Sequence, residues 1–149
     1  MKKSYILFLA SALTLSTVAC SKKDDPATTA TVATTSLSAT INGAQQVPAN
    51  NSTATGAFVG VYTDNGTTKQ LNYSVTYQNL NPTMAHIHIG APGAKGAVAI
   101  AFSSLASPIT GTTTLTADQA DKLLTNNMYV NIHSSAFPDG EVRGDIKKQ

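Results

Sequence analysis

The strongest constraint on the fold is a series of short alternating stretches, separated by turn residues, that runs from about residue 36 to the end. In one stretch Leu71, Tyr73, Val75 and Tyr77 occupy every second position. This spacing places side chains on one face of a β-strand. Asn65-Gly66 precedes the stretch, and Asn-Gly favours the tight turn of a hairpin. The pattern therefore predicts one all-β domain, a sandwich or a barrel.

The boundaries of the predicted elements follow from the same pattern. Eight stretches are predicted as strands: 37–41, 55–63, 70–78, 84–90, 98–102, 109–115, 128–134 and 141–146. One short helix is predicted over 117–125, because Thr116 and Gln119 have the spacing of a capping box. Ala120, Leu123 and Leu124 form the apolar stripe of this helix, and Asn126-Asn127 ends it.

The N-terminus has the features of a bacterial targeting segment rather than of a folded domain. Lys2 and Lys3 precede an apolar stretch over 6–15, which is shorter than the roughly 20 residues that a membrane-spanning helix needs. Thr17-Val18-Ala19-Cys20 then resembles the lipobox of lipoproteins. We therefore predict a signal peptide over 1–19 and lipidation of Cys20, the only cysteine. The alternative is an ordinary secretory signal that leaves Cys20 as a free thiol.

Residues 20–35 are predicted to be the acylated cysteine and a flexible tether, because their Thr, Ala, Ser, Lys and Asp residues supply little apolar bulk. Ser21-Lys22-Lys23-Asp24-Asp25 resembles the charged signals that send some lipoproteins to the cell surface; the alternative is a solvated spacer. The expected location is the bacterial cell envelope. We expect an outer-membrane anchor, with the domain on the periplasmic or the outer face.

The charge balance argues against nucleic acid as a partner. The whole chain has ten basic and eight acidic residues, but Lys2 and Lys3 belong to the predicted signal peptide. From Cys20 onwards the two counts are equal, so no basic field remains that would attract a polyanion.

Three predicted strands place the chain's rarest polar side chains on their non-core faces. All three histidines belong to this set, with the only glutamate and the only arginine. The set is His86, His88, Tyr129, Asn131, His133, Glu141 and Arg143. Neighbouring strands are about 4.8 Å apart. The histidines therefore meet if the His86 strand lies beside the His133 strand.

Two interpretations of this cluster are open. In the first, His86, His88 and His133 bind copper or zinc and leave one position for water or a carboxylate. Glu141 is then that carboxylate, or the acceptor that fixes a histidine tautomer. In the second, the histidines hydrogen-bond to Asn131, Tyr129 and Glu141 in a structural network. No residue is predicted to be catalytic.

The same strands resemble the CHRD domain, named for chordin. The motifs are Leu37-Ser38-Ala39, Gln46-Val47-Pro48, Ala85-His86-Ile87-His88, Tyr129-Val130-Asn131-Ile132-His133 and Gly140-Glu141-Val142-Arg143-Gly144. The resemblance covers about residues 36–147, and the predicted domain extends over 36–149. It implies a Greek-key or immunoglobulin-like β-sandwich, here of about 7–9 strands. It also implies secretion or lipid anchoring in bacteria.

Three functions follow as hypotheses. The leading one is a non-enzymatic envelope module that binds a metal, a glycan or a protein. The second is a mononuclear copper or zinc enzyme, either hydrolytic or similar to copper–zinc superoxide dismutases. Those enzymes need more histidines and a disulfide, which this chain lacks. The third is a purely structural or adhesive domain.

Overall fold

The computed structural model describes residues 31–149. The predicted signal peptide, Cys20 and most of the predicted tether lie outside the described residues. Within the described range the strands are β1 (Ala33–Asn42), β2 (Thr55–Asp64), β3 (Lys69–Gln78), β4 (Pro82–Ile89), β5 (Val98–Ala101), β6 (Ile109–Thr114), β7 (Met128–Ser134), β8 (Val142–Asp145) and β9 (Lys147–Lys148), and the helix is α1 (Ala117–Leu124). The predicted all-β class with one short helix is confirmed.

The strands form one continuous antiparallel sheet in the order β5-β4-β7-β8-β1-β2-β3-β6, and β9 pairs with β1. The sheet curls so that its halves face each other across the core, as the layers of a sandwich do. Tyr73 of β3 therefore contacts Phe102, which follows β5, with 5.0 Å between the ring centroids. The Tyr77 hydroxyl donates to the carbonyl of Leu105 across the same gap.

The core lies between these halves and takes its side chains from alternate strand positions. The fully buried apolar residues include Ile41, Phe58, Leu71, Val75, Ile87, Val130, Ile132, Val142 and Ile146. Val59 and Val61 face solvent instead, with exposed fractions of 57% and 43%. Their offset from Phe58 by one residue explains this exposure, because neighbouring strand residues face opposite sides.

The ends of most elements differ from the prediction by one or more residues, and among the predicted elements only β7 has both of its predicted ends. Strand β1 begins at Ala33, so residues 33–35 belong to the sheet rather than to the tether, because they pair with Tyr62–Asp64 of β2. Helix α1 ends at Leu124, one residue early. Its capping box is present as predicted: Thr116 accepts from the backbone N–H of Gln119, and Gln119 accepts from that of Thr116. No helix in residues 31–149 is long and apolar enough to cross a membrane.

Candidate metal centre

Three adjacent strands, β4, β7 and β8, hold six of the seven polar residues predicted to cluster, and the seventh, Glu141, directly precedes β8. The register aligns His86 with Asn131 and Asn131 with Arg143. One step along, His88 is opposite Tyr129, and on the other side Met84 is opposite His133. The strand pairing therefore brings the His86 strand beside the His133 strand, as the three-histidine hypothesis required.

This polar face is covered by loops, which the alternating pattern does not reveal. Every residue of β7 is buried, including those that face away from the core. Gln46 donates to the Asn131 side chain at 2.5 Å, although the two residues are 85 positions apart in the chain. The backbone N–H of Gly96 donates to the Tyr129 hydroxyl at 3.1 Å. The loops around Gln46 and Gly96 thus cover this face of the sheet. The segment around Pro138 lies next to the Gln46 loop.

The three histidine rings converge at the edge of this covered face. One nitrogen from each of His86, His88 and His133 lies within 4.8 Å of the other two. The His86 ring is 5.5 Å from that of His88 and 5.3 Å from that of His133, edge to face in both cases. His88 and His133 are each 8% exposed, and His86 is half-buried.

Backbone carbonyls fix the tautomers of two of these rings. The Nδ1 atom of His88 is 3.0 Å from the Gly96 carbonyl, and that of His133 is 2.8 Å from the Pro138 carbonyl. A carbonyl only accepts, so each Nδ1 carries the hydrogen and each Nε2 has a free lone pair. This is the arrangement typical of metal-binding histidines.

Each of the three rings has one buried nitrogen without a hydrogen-bond partner. These atoms are Nε2 of His88, Nε2 of His133 and Nδ1 of His86. Buried polar atoms are nearly always satisfied, and an unsatisfied one costs about 1–3 kcal/mol. Three such atoms, one in each ring of the cluster, therefore indicate a place for a ligand that accepts their lone pairs.

The surroundings favour neutral rings. Burial lowers the pKa of His86 below its ordinary value of 6.5, and neighbouring His133 and His88 lower it further. Burial also lowers the pKa of His88; the Gly96 carbonyl opposes this, while His133 and Arg143 add to it. A neutral imidazole is the form that binds a metal.

Tyr129 and Arg143 support the site from behind. The Tyr129 ring stacks on His88, with centroids 4.9 Å apart and planes 7° from parallel, and the Arg143 guanidinium lies 3.6 Å from the Tyr129 centroid. Arg143 is 1% exposed and donates to Asp145 and to the carbonyls of Ala91 and Ala94. It thereby fastens the loop that carries the Gly96 carbonyl to the sheet.

Gly96 is required at this point of the loop by close packing. A Cβ atom on Gly96 would lie 1.5 Å from the carbonyl oxygen of Ile89. No other residue type fits without moving the backbone. The glycine spacing at 90, 93 and 96 signals a turn, but it does not show that this turn supplies the acceptor for His88.

Glu141 lies apart from the histidine nitrogens. Its carboxylate accepts from the Ser52 hydroxyl at 2.6 Å, and its backbone carbonyl accepts from the Asn50 side chain. The structure thus gives the tautomer-fixing role, predicted for Glu141, to the Gly96 and Pro138 carbonyls. Among residues 31–149, the group of candidate ligands that includes the histidines has no carboxylate.

The comparisons with known proteins agree with this arrangement of motifs. The model of the CHRD domain family matches residues 37–146. The chain belongs to the CHRD domain family. No curated protein and no solved structure is detectably similar to it. The matched range contains the three histidines, Tyr129 and Arg143, so the whole candidate site is part of the CHRD domain.

Replacing Arg143 by lysine is expected to lower the free energy of unfolding by about 3 kcal/mol. An ammonium group cannot serve Asp145 and both carbonyls while also lying flat on Tyr129. Urea unfolding of a chain that begins at residue 31 measures the change. Lys122→Gln, which removes an exposed charge on α1, is the control and should change stability by less than about 0.5 kcal/mol. Equal stability of Arg143→Lys and the parent would contradict the role given to Arg143.

The metal-free domain is expected to lose stability as the pH falls below 6.5. In the unfolded chain the histidines take up protons near their ordinary pKa of 6.5. In the folded domain the pKa of His86 and of His88 is lowered, so these two rings take up protons only at lower pH. The stabilising contribution is therefore present above pH 6.5 and is lost as the pH falls through the folded pKa. Thermal unfolding between pH 5 and 8 tests this against the double variant His86→Gln, His88→Gln. The stability of the double variant should change less with pH than that of the parent. An equal pH dependence of the two proteins would refute the explanation.

Proposed function

We propose that this protein is a lipid-anchored envelope protein whose CHRD domain binds one copper or zinc ion through His86, His88 and His133. One observation carries the proposal: in a cluster where one nitrogen of each histidine lies within 4.8 Å of the other two, each ring also has a buried nitrogen without a hydrogen-bond partner. A bound cation gives each of them a partner at once. The competing structural network pairs the histidines with Asn131, Tyr129 and Glu141. The histidine hydrogen bonds of the described residues go instead to the Gly96 and Pro138 carbonyls, and three ring nitrogens are left unsatisfied.

The distances suit a transition-metal ion after small ring rotations. Around a tetrahedral zinc ion with Zn–N bonds of 2.0–2.1 Å, the nitrogen ligands are about 3.3 Å apart. The nitrogens found here are up to 4.8 Å apart, so each pair needs to approach by at most about 1.5 Å. His86 is the ring with most freedom to move, because it is half-buried and no backbone carbonyl holds its Nδ1 atom.

The type of ligand atom selects the class of metal. Imidazole nitrogen suits zinc and copper, whereas calcium and magnesium prefer oxygen ligands in larger numbers. Three protein ligands leave a fourth position for water or another small ligand, as in catalytic zinc sites. Copper and zinc both fit this description, so both ions belong in the test.

The anchoring part of the proposal is supported by the N-terminal sequence. Lys2 and Lys3, the short apolar stretch and the small residues before Cys20 together have the order of a lipoprotein signal. Lipidation would also account for a single cysteine in an exported chain. The ligand that we propose for the CHRD domain is a copper or zinc ion. A glycan or an envelope protein would be a further partner.

The purified full chain, kept in detergent micelles, is expected to bind one equivalent of copper or zinc. Loss of a ligand should remove binding, so His88→Ala is expected to bind no metal above background. Elemental analysis after dialysis gives the stoichiometry. Thermal unfolding should show a stabilisation of about 2.7 kcal/mol when free metal exceeds the dissociation constant 100-fold.

Thr112→Ala is the control for metal binding, because this exposed residue of β6 is remote from the three strands of the site. It should bind metal like the parent. Apo stability is compared first, so that a misfolded His88→Ala protein is recognised. Equal metal content in the parent and in a folded His88→Ala variant would overturn the proposal.

Lipidation is expected at Cys20 when the gene is expressed in a bacterium that processes lipoproteins. Cells fed radiolabelled palmitate should incorporate label into the parent and none into Cys20→Ser, because the thiol is the acceptor of the lipid. Ser21→Ala keeps the thiol and should stay labelled. An unlabelled parent would reject the anchor and leave the metal site to be judged by its own test.

A further inference from the structure

We propose that a small cavity beside His88 and His133 admits a small anion to the fourth coordination position of the metal, and that Lys95 attracts this anion. The inference rests on the proposed metal site and names the ligand that the site takes in addition to the protein. It is argued from the cavity, from the charges on its wall and from the way the Lys95 loop is held.

The cavity has a volume of about 110 Å³ and is lined by two of the three candidate ligands, His88 and His133. One water molecule in the liquid takes up about 30 Å³. The space therefore suits a molecule of a few atoms. A metal bound to the free Nε2 atoms of these two rings would border the cavity.

Charged side chains in the wall favour an anion. Arg143 and Lys95 are the cations, and Asp139 is the only carboxylate in the lining. Asp145, outside the lining, offsets the charge of Arg143. Three neutral imidazoles add no negative charge, so a divalent ion at the site would keep its charge of about +2. The cavity would then have a positive potential, which raises the local concentration of anions.

Lys95 is placed beside the cavity by the fastened loop. Its neighbour Ala94 accepts from Arg143 at 2.7 Å, and its other neighbour, Gly96, contacts both Tyr129 and His88. The Lys95 side chain is exposed. Among the residues that the structure describes, neither Lys95 nor Asp139 belongs to an ion pair. The lysine charge is thus available to an incoming ligand.

Azide is a suitable probe, because it is a small anion whose binding to copper(II) produces a charge-transfer absorption band. The full chain in detergent micelles is loaded with one equivalent of copper(II) and titrated with sodium azide. We expect saturable binding of one azide per copper. The apparent affinity should fall as sodium perchlorate is added, because salt screens the attraction.

Charge variants locate the attraction within the cavity. Lys95→Gln should weaken azide binding by about three- to fivefold, the size expected for one partly exposed charge. Asp139→Asn should strengthen it by a similar factor. Lys122→Gln and Asp118→Asn make the same charge changes on α1, away from the cavity, and should leave the azide affinity unchanged.

Each of the other outcomes would overturn a different part of the proposal. A chain that binds copper but no azide removes the anion site and leaves the metal proposal intact, whereas a chain that binds no copper removes both. Equal weakening by Lys95→Gln and Lys122→Gln would exclude a local role for Lys95. A loss of copper affinity in Asp139→Asn would make Asp139 the fourth ligand, so that no position is left for an anion.

Discussion

The buried guanidinium of Arg143 is the interaction on which the rest of the site depends. It joins two strands and a loop: it pairs with Asp145 on its own strand, lies against Tyr129 on β7 and holds the carbonyls of Ala91 and Ala94. A buried charge is tolerated only when its donors are satisfied, which makes this geometry strict. Arg143 thereby holds the loop over residues 91–96 in the position where the Gly96 carbonyl accepts from His88. The histidine tautomer is therefore set by a residue on another strand.

The histidine cluster suits the proposed metal-bound state better than a metal-free one. Two rings are oriented by carbonyls and their remaining nitrogens lack partners, which destabilises the domain while the site holds no ligand. Binding sites often carry such a cost, because an oriented site loses less entropy when the ligand arrives. The lowered pKa of His86 and His88 would also favour metal binding, because protons then compete weakly with a metal for these rings near neutral pH.

Local rules of sequence predicted the strands, the helix and the face of each histidine. The alternation in β4 and β7 fixes which side chains share a face, and the Thr116–Gln119 capping box fixes the helix start. The loops that cover this face follow from long-range contacts instead. Gln46 meets Asn131 across 85 residues, and the Glu141 carboxylate meets Ser52 across 89. No periodicity encodes such pairs. Strand alternation alone therefore puts Glu141 beside the histidines, and it does not reveal that the Gly96 carbonyl accepts from His88.

The position of β1 has a mechanical consequence. Within the described residues the sheet begins at Ala33, and β1 lies between β8 and β2 in the strand order. It pairs with β2 over ten successive residues. A force that pulls on the N-terminal side along this strand acts at right angles to its hydrogen bonds and loads them together in shear, instead of peeling them one by one. Under the proposed N-terminal anchor, drag on the domain would be resisted by this ten-residue pairing.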